Sequence, residues 1–242
     1  MVDDAAIIEG FISVRAVFKS RSRAIHCILI RRDKWDKGIA WLEHNATAAG
    51  IPVERASSDV IDARASGTSH GGVIAEVGPR EYAALDDLGA GDAAPFVAMI
   101  DGIEDPFNFG QAVRALYAAG CAGLVLRPRN WLSAAGVVAR ASAGASEWMP
   151  VAIADTAFDA ADHFRARGLR VAVAAKDDAV TLYDADLAGP LFLMIGGEKR
   201  GVTVAWDDLG ADRFRGQAEL GADMVFDRGV DIGEGANRAG KC

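Results

Sequence analysis

The sequence predicts an α/β protein of two units, a small one over residues 1–80 and a larger one over 96–213 organised around a parallel sheet. Two observations carry this reading. Short apolar runs of strand length alternate with helix-length amphipathic stretches. Glycine outnumbers proline 27 to 7, which supplies tight turns while leaving helices unbroken. Between the units, residues 81–95 are rich in Gly, Ala and Asp with little periodicity, as in a linker or short helix.

In the first unit, Ile12 to Lys19 reads as a helix and Ile25-His-Cys-Ile-Leu-Ile30 as a buried strand. Trp35 to Ala49 has helical spacing and stops at Gly50, with Pro52 just beyond. Val53-Glu-Arg55 and Gly71 to Val77 complete the unit as strands. The second unit starts at the strand Phe96-Val-Ala-Met-Ile100. It continues through a helix over Gln111–Ala119, closed at Gly120, to the strand Gly123-Leu-Val-Leu126. Helices follow at Ala134–Ala143 and Phe158–Arg167, with strands at Val151–Ile153, Leu169–Ala174 and Leu191–Ile195. Strands alternating with helices imply a parallel sheet covered on both faces, with ligands outside the strands' carboxyl ends. Residues 210–242 hold seven glycines and show no sustained helical or strand period.

With 51% hydrophobic and 25% charged residues over 242 positions, the composition is that of a soluble globular chain. No apolar run approaches the roughly 18 residues of a membrane span. Met1-Val-Asp-Asp is acidic, unlike a secretory or mitochondrial leader. Cys27, Cys121 and Cys242 are scattered and lack C-x-x-C spacing, which excludes a disulfide framework or structural zinc site and fits a reducing cytoplasm. The net charge of −8 argues against nucleic acid. Binding follows the local patch, however, and Arg15, Lys19, Arg21, Arg23, Arg31, Arg32 and Lys34 face a single acid, Asp33, in that stretch. A solvated helix–strand pair explains the same cluster.

Three segments invite a chemical reading. Gly67-Thr-Ser69-His-Gly71 spells a nucleophile elbow, but polar residues precede it and a strand follows, the reverse of the required order, so a serine hydrolase is rejected. Gly196-Gly-Glu-Lys-Arg-Gly201 follows a buried strand as a ligand-cradling loop would, without matching a P-loop or G-x-G-x-x-G; a plain turn remains an alternative. Asp101 to Arg114 joins a strand to a helix, with Asn108 placed as a helix N-cap and Arg114 on the first turn. Taken singly, each has a structural explanation.

Together they have another. Asn108-Phe-Gly110-Gln-Ala-Val-Arg114-Ala-Leu-Tyr-Ala-Ala-Gly120 resembles motif 1 of the SpoU/TrmH family of RNA ribose methyltransferases (SPOUT class), and Leu191-Phe-Leu-Met-Ile-Gly196-Gly-Glu198-Lys-Arg-Gly201 resembles motif 2. Ala141-Ser-Ala-Gly-Ala145 is similar to the small-residue segment between them, and residues 1–80 to a ribosomal-protein-like RNA-binding domain. The resemblance implies a SPOUT parallel-sheet domain with a trefoil knot, S-adenosylmethionine as cofactor, rRNA or tRNA as partner, a homodimer, and no metal. It implies catalytic roles for Arg114, Asn108 and Glu198 and cofactor contacts from Ile195, Gly196, Gly197 and Gly201. The basic residues Arg15, Lys19, Arg21, Arg23, Arg31 and Arg32 would grip RNA phosphates. Residues 214–242, a Gly-rich tail, stand where the family carries motif 3. That departure keeps a second reading open, a non-catalytic RNA-binding protein with a degenerate cofactor pocket.

Overall fold

A computed structural model describes residues 5–129, 132–175, 179–181, 183–197, 201–202 and 211–215. The first unit contains β1 (Ala6–Glu9), α1 (Phe11–Ser20), β2 (Arg23–Arg31), α2 (Lys37–Ala48), β3 (Val53–Ala56), α3 (Ser58–Arg64) and β4 (Val73–Arg80). Its sheet runs β1-β4-β2-β3, with β4 antiparallel to both neighbours and β3 parallel to β2. Ile28, Leu29 and Ile30 are buried along β2, as a short apolar run requires. Asp36 caps α2 by accepting the Ile39 N–H at 2.9 Å, so this helix begins at Lys37 rather than Trp35.

The second unit holds β5 (Phe96–Asp101), α4 (Pro106–Ala118), β6 (Gly123–Leu126), α5 (Ala135–Ala141), α6 (Ala145–Trp148), β7 (Val151–Ile153), α7 (Ala157–Ala166), β8 (Arg170–Ala174), β9 (Val180–Thr181), β10 (Leu191–Gly196) and β11 (Asp212–Arg215). The strands form one sheet, β7-β6-β5-β10-β8-β11-β9, and every pairing in it is parallel. Along β10, Phe192 and Met194 enter the core on one face, while Leu191, Leu193 and Ile195 enter the core on the other. A strand buried on both faces has no polar alternation to show, which is why it reads as one continuous apolar run. Phe192 stacks on Phe164 of α7 with ring centroids 4.5 Å apart.

Several expectations are corrected here. Helix α4 starts at Pro106 with Asp105 as its N-cap, five residues before Gln111. Asn108 is therefore inside the helix, where its N–H donates to the Asp105 carboxylate at 2.8 Å, and is not the cap. Arg114 falls on the third turn, not the first. The stretch from residue 210, expected to be aperiodic, contains β11, which pairs with β8 and β9 and buries Phe214. Strand β1 and helix α3 carried no signal in the sequence reading. The knot and the Gly-rich tail from 216 onward lie outside the described residues.

The two units share an extensive seam. Gly144 lies against Ala16 of α1, so close that a Cβ there would stand 2.8 Å from the alanine methyl. This accounts for the glycine of Ala141-Ser-Ala-Gly-Ala145. Gly110 of α4 likewise permits contact with α5, since a Cβ would meet that of Ala141 at 2.6 Å. At the centre of the seam, Glu147 accepts from Ser22 Oγ at 2.6 Å and Arg23 Nε at 3.0 Å, with Arg80 at 3.4 Å. A second pair, Arg140 with Glu9, bridges α5 to β1.

Candidate active site

Strand order decides where a ligand fits. From β5 the chain moves outward through β6 to β7, then recrosses to β8, and β10 returns between β5 and β8. The chain leaves β5 and β10 toward opposite sides of the sheet, and in open α/β sheets that reversal, beyond the strands' carboxyl ends, is where ligands bind. Gly196 ends β10 and Gly197 follows it, with Asp101 ending β5 and Gly102 following beside them; Gly196 pairs with Asp101 in register.

Four glycines from three chain segments meet here, main chain against main chain. Gly197 and Gly201 exchange two backbone hydrogen bonds of 3.2 and 2.9 Å, closing the loop on itself. A Cβ on Gly196 would overlap the Gly201–Val202 peptide, standing 2.6 Å from Gly201 Cα; one on Gly197 would stand 2.7 Å from the Gly102 carbonyl carbon. Gly102 itself has φ +83°, a conformation that favours glycine. The glycines of motif 2 are thus required first by the loop's contact with itself and with Gly102.

Two arginines that sequence reasoning missed brace the motif 1 side. Arg127 pairs with the buried carboxylate of Asp101 at 3.4 Å. Arg129 donates to the carbonyls of Ile103 and Glu104, each at 3.3 Å. The available signal was Arg127-Pro-Arg129 placed directly after β6, at the same edge of the sheet.

The structure brings Gly196, Gly197 and Gly201 together, with Ile195 buried just before them. Asn108 is exposed on the first turn of α4, a few residues past Gly102. Arg114 is exposed two turns further along. Six residues apart at 3.6 per turn, Asn108 and Arg114 project about 120° from one another, so α4 does not present them on one face. Arg114 instead shares the outer side of the helix with Phe107 and Tyr117, which are 54% and 44% exposed. Glu198 lies outside the described residues. A cavity of about 200 Å³ occurs elsewhere, on the seam between Arg80, Glu147 and the inner face of α4.

Of the six basic residues, Arg15, Lys19, Arg21 and Arg32 are exposed and Arg31 is half-exposed. Arg23 is a correction. Its side chain is 7% exposed and its guanidinium is engaged by Glu147, so it is not available to a phosphate. Lys19 Nζ sits 5.0 Å from the Trp41 ring and Arg15 lies over Phe11, which fixes both stems on aromatic surface. Burial opposes the charge of Glu147, but Arg23 and Arg80, with the Ser22 hydroxyl, more than offset it and hold the carboxyl below its ordinary range.

Two family models match the chain. The model described as "SpoU rRNA Methylase family" matches residues 95–211, and "RNA 2'-O ribose methyltransferase substrate binding" matches residues 7–83. The 23S rRNA (guanosine-2'-O-)-methyltransferase RlmB of Shewanella oneidensis is 30% identical over 199 residues, 81% of each chain. The chain belongs to the SpoU family of RNA methyltransferases. RlmB of Photorhabdus laumondii is 28% identical over 200 residues, 81% of this chain and 82% of its own. Among solved structures, the SpoU methyltransferase AviRb of Streptomyces viridochromogenes, in complex with AdoMet, aligns with a TM-score of 0.72 at 17% identity. That alignment covers 88% of this chain and 80% of the other, and shows that the SpoU fold extends through both units.

Proposed function

We propose that this SpoU-family chain transfers the methyl group of S-adenosylmethionine to a ribose 2′-hydroxyl of ribosomal RNA. A guanosine of 23S rRNA, the substrate named for its relatives, is the target. The carrying observation is the convergence of Gly102, Gly196, Gly197 and Gly201 at the point where the strand order reverses. A turn packed from main chain alone at that edge offers backbone groups by which a nucleoside cofactor is recognised. Ile195, Gly196, Gly197 and Gly201 would hold it. When bound, S-adenosylmethionine supplies an electrophilic methyl group on a sulfonium that is its own leaving group.

The protein's part is placement and charge. Holding the reactants in near-attack geometry supplies about 7–11 kcal/mol of the barrier. Arg114 acts as a cation that stabilises the developing alkoxide; a guanidinium with a pKa above about 12 is a poor base. The released proton passes to an RNA phosphate or to water. Asn108 orients the ribose, and Glu198 pairs with a cation or ties down the loop. Residues 1–80 bind RNA through Arg15, Lys19, Arg21, Arg31 and Arg32, residues 96–213 carry the transfer, and 81–95 join them, with 214–242 in the place of motif 3. Arg114 stands on the outer side of α4 beside exposed Phe107 and Tyr117. A second copy packed on that face, making a homodimer, would cover the aromatic rings and bring Arg114 to a crevice across the interface. No helix among the described residues is long and apolar enough to cross a membrane, and the protein acts in the cytoplasm with its ribosomal substrate.

The test is methyl transfer to 23S rRNA fragments by the wild type and by Arg114→Ala, with calorimetric titration of S-adenosylmethionine. Loss of the cation is expected to slow transfer by about 10²–10³ without altering the melting temperature. Wild-type turnover by Arg114→Ala removes the residue from the reaction. A wild-type titration with no binding would leave the non-catalytic RNA-binding reading in its place.

A further inference from the structure

The connection between β2 and α2 presents an aromatic ring that the transfer reaction does not use. Trp35 is 69% exposed. Its indole rests on the guanidinium of Arg55, whose Cζ lies 3.9 Å from the ring centroid. Arg55 is in turn immobilised from four directions. It donates to both carboxylate oxygens of Glu43, at 3.0 and 2.6 Å, and to the carbonyls of Arg31 and Lys34, at 3.2 and 2.7 Å. The ring is thus backed on one side by a fixed planar cation, and its exposed area belongs to the other side.

The cations beside the ring outnumber the acids. In the connection Arg32 is exposed and Lys34 half-buried, and Lys37, the first residue of α2, is exposed. The connection's two carboxylates are both engaged: Asp33 accepts from Arg31 Nε at 2.6 Å, and Asp36 caps α2. A flat aromatic face set among cations matches a single-stranded nucleic acid, whose bases offer π-faces at intervals along a line of phosphates. A base inside a duplex has both faces covered by its neighbours, so the match is to an unpaired one. Trp41, by contrast, is half-buried, edge-on to Phe18 and covered by Lys19.

We propose that Trp35 is the stacking platform for one unpaired nucleobase of the RNA substrate, with Arg32, Lys34 and Lys37 holding the adjacent phosphates. This rests on the RNA-substrate reading above and adds to it the element that would be recognised, a looped-out or terminal base. Because Arg55 fixes the ring beforehand, little freedom is lost when the base arrives.

The experiment measures anisotropy of two labelled ten-nucleotide strands bound by the full chain, one of unpaired adenosines and one with abasic riboses at the same phosphate spacing. Proteins compared are the wild type, Trp35→Ala and Trp35→Phe. Trp35→Ala is expected to weaken adenosine-strand binding by roughly 5- to 150-fold and leave abasic-strand binding unchanged. Trp35→Phe, which restores a π-face, is expected to recover most of the loss. Melting temperatures should agree among the three, since the ring is exposed. Equal affinity of wild type and Trp35→Ala for the adenosine strand overturns the platform alone, as does an equal loss on both strands. Failure of the wild type to bind either strand overturns the RNA reading and the platform with it.

Discussion

Gly196→Ala tests most directly whether the crevice between β5 and β10 is the place of methyl transfer. Carbon atoms pack at about 3.5–4.0 Å, whereas the new methyl carbon would stand 2.6 Å from Gly201 Cα and overlap the following peptide. The shortfall is about 1 Å at Gly201 Cα and larger at the peptide, and all the contacts are main chain, so no side-chain rotation relieves it. The loop must open, which breaks the two Gly197–Gly201 hydrogen bonds. At about 0.5–1.5 kcal/mol each, with about 1–3 kcal/mol for overpacking, the local cost is a few kcal/mol. Relaxation falls on the edge loop, because β10 is pinned between β5 and β8. A displacement of 1 Å in a reacting group costs about 10² in rate. Calorimetry should therefore show weakened S-adenosylmethionine binding, and single-turnover methyl transfer should slow about 100-fold or more, with the circular dichroism spectrum preserved. Gly120→Ala is the control. Its φ of +82° makes alanine strained, about 1–2 kcal/mol, yet nothing lies within 4 Å of the added carbon and the site is at the far end of α4. Wild-type cofactor affinity in Gly196→Ala, or an equal loss in Gly120→Ala, would refute the assignment.

The seam and the basic patch give further expectations. Glu147, 1% exposed, is the shared carboxylate of Arg23 and Arg80, which are 7% and 11% exposed; Glu147→Ala removes the carboxylate from Arg23, leaves Arg80 only the carbonyls of Ser146 and Met149, and should cost about 3–5 kcal/mol in urea unfolding. Because the folded-state carboxyl is held below its ordinary value of 4.5, its contribution is complete above that pH and declines as pH falls through the native value. The stability gap between wild type and Glu147→Gln should therefore narrow below about pH 4.5, and a gap that widens there would contradict the pairing. Arg21→Ala should lower the salt slope of RNA binding by about one without changing stability. Arg23→Ala, two residues on, should do the reverse, and identical behaviour of the two would mean that Arg23 is not held in the seam.

The parallel sheet and the diglycine turn were readable because each is a local pattern. A strand buried on both faces announces itself as Leu191-Phe-Leu-Met-Ile195, and a glycine pair directly after it marks a backbone that tolerates no side chain. Strand β11 was not readable, since Asp-Arg-Phe-Arg offers one apolar residue and gains its identity only by pairing with β8. Taking Asn108 as the cap misplaces the start of α4, because Asp105 followed by Pro106 is the stronger signal, an N-cap acid before a residue pre-set for the first helical position. That shift of five residues moved Arg114 from the first turn to the third. Arg23 and Glu147 are separated by 124 positions, and the sequence around Ser22-Arg23 carries nothing to distinguish a buried cation from a solvated one.

The seam also changes what the two units can do together. Residues 81–95 read as a linker, but the chain there is fastened repeatedly. Glu81 N–H donates to the Ser22 carbonyl and Ala83 N–H to that of Val151. Leu88 is fully buried in the core of the second unit, and Arg167 donates to the carbonyls of Leu85 and Leu88 at 2.9 Å each. With Glu147 and Glu9 bridging the same units, the basic surface stands at a set distance from the crevice. A tethered domain would search a volume set by its linker and lose that freedom when RNA bound both parts. A docked one has already lost it during folding. Under the RNA-binding role proposed for the first unit, phosphate contacts there would set where the strand lies along the second unit, and the choice of ribose would depend on packing at Gly144 and charge at Glu147.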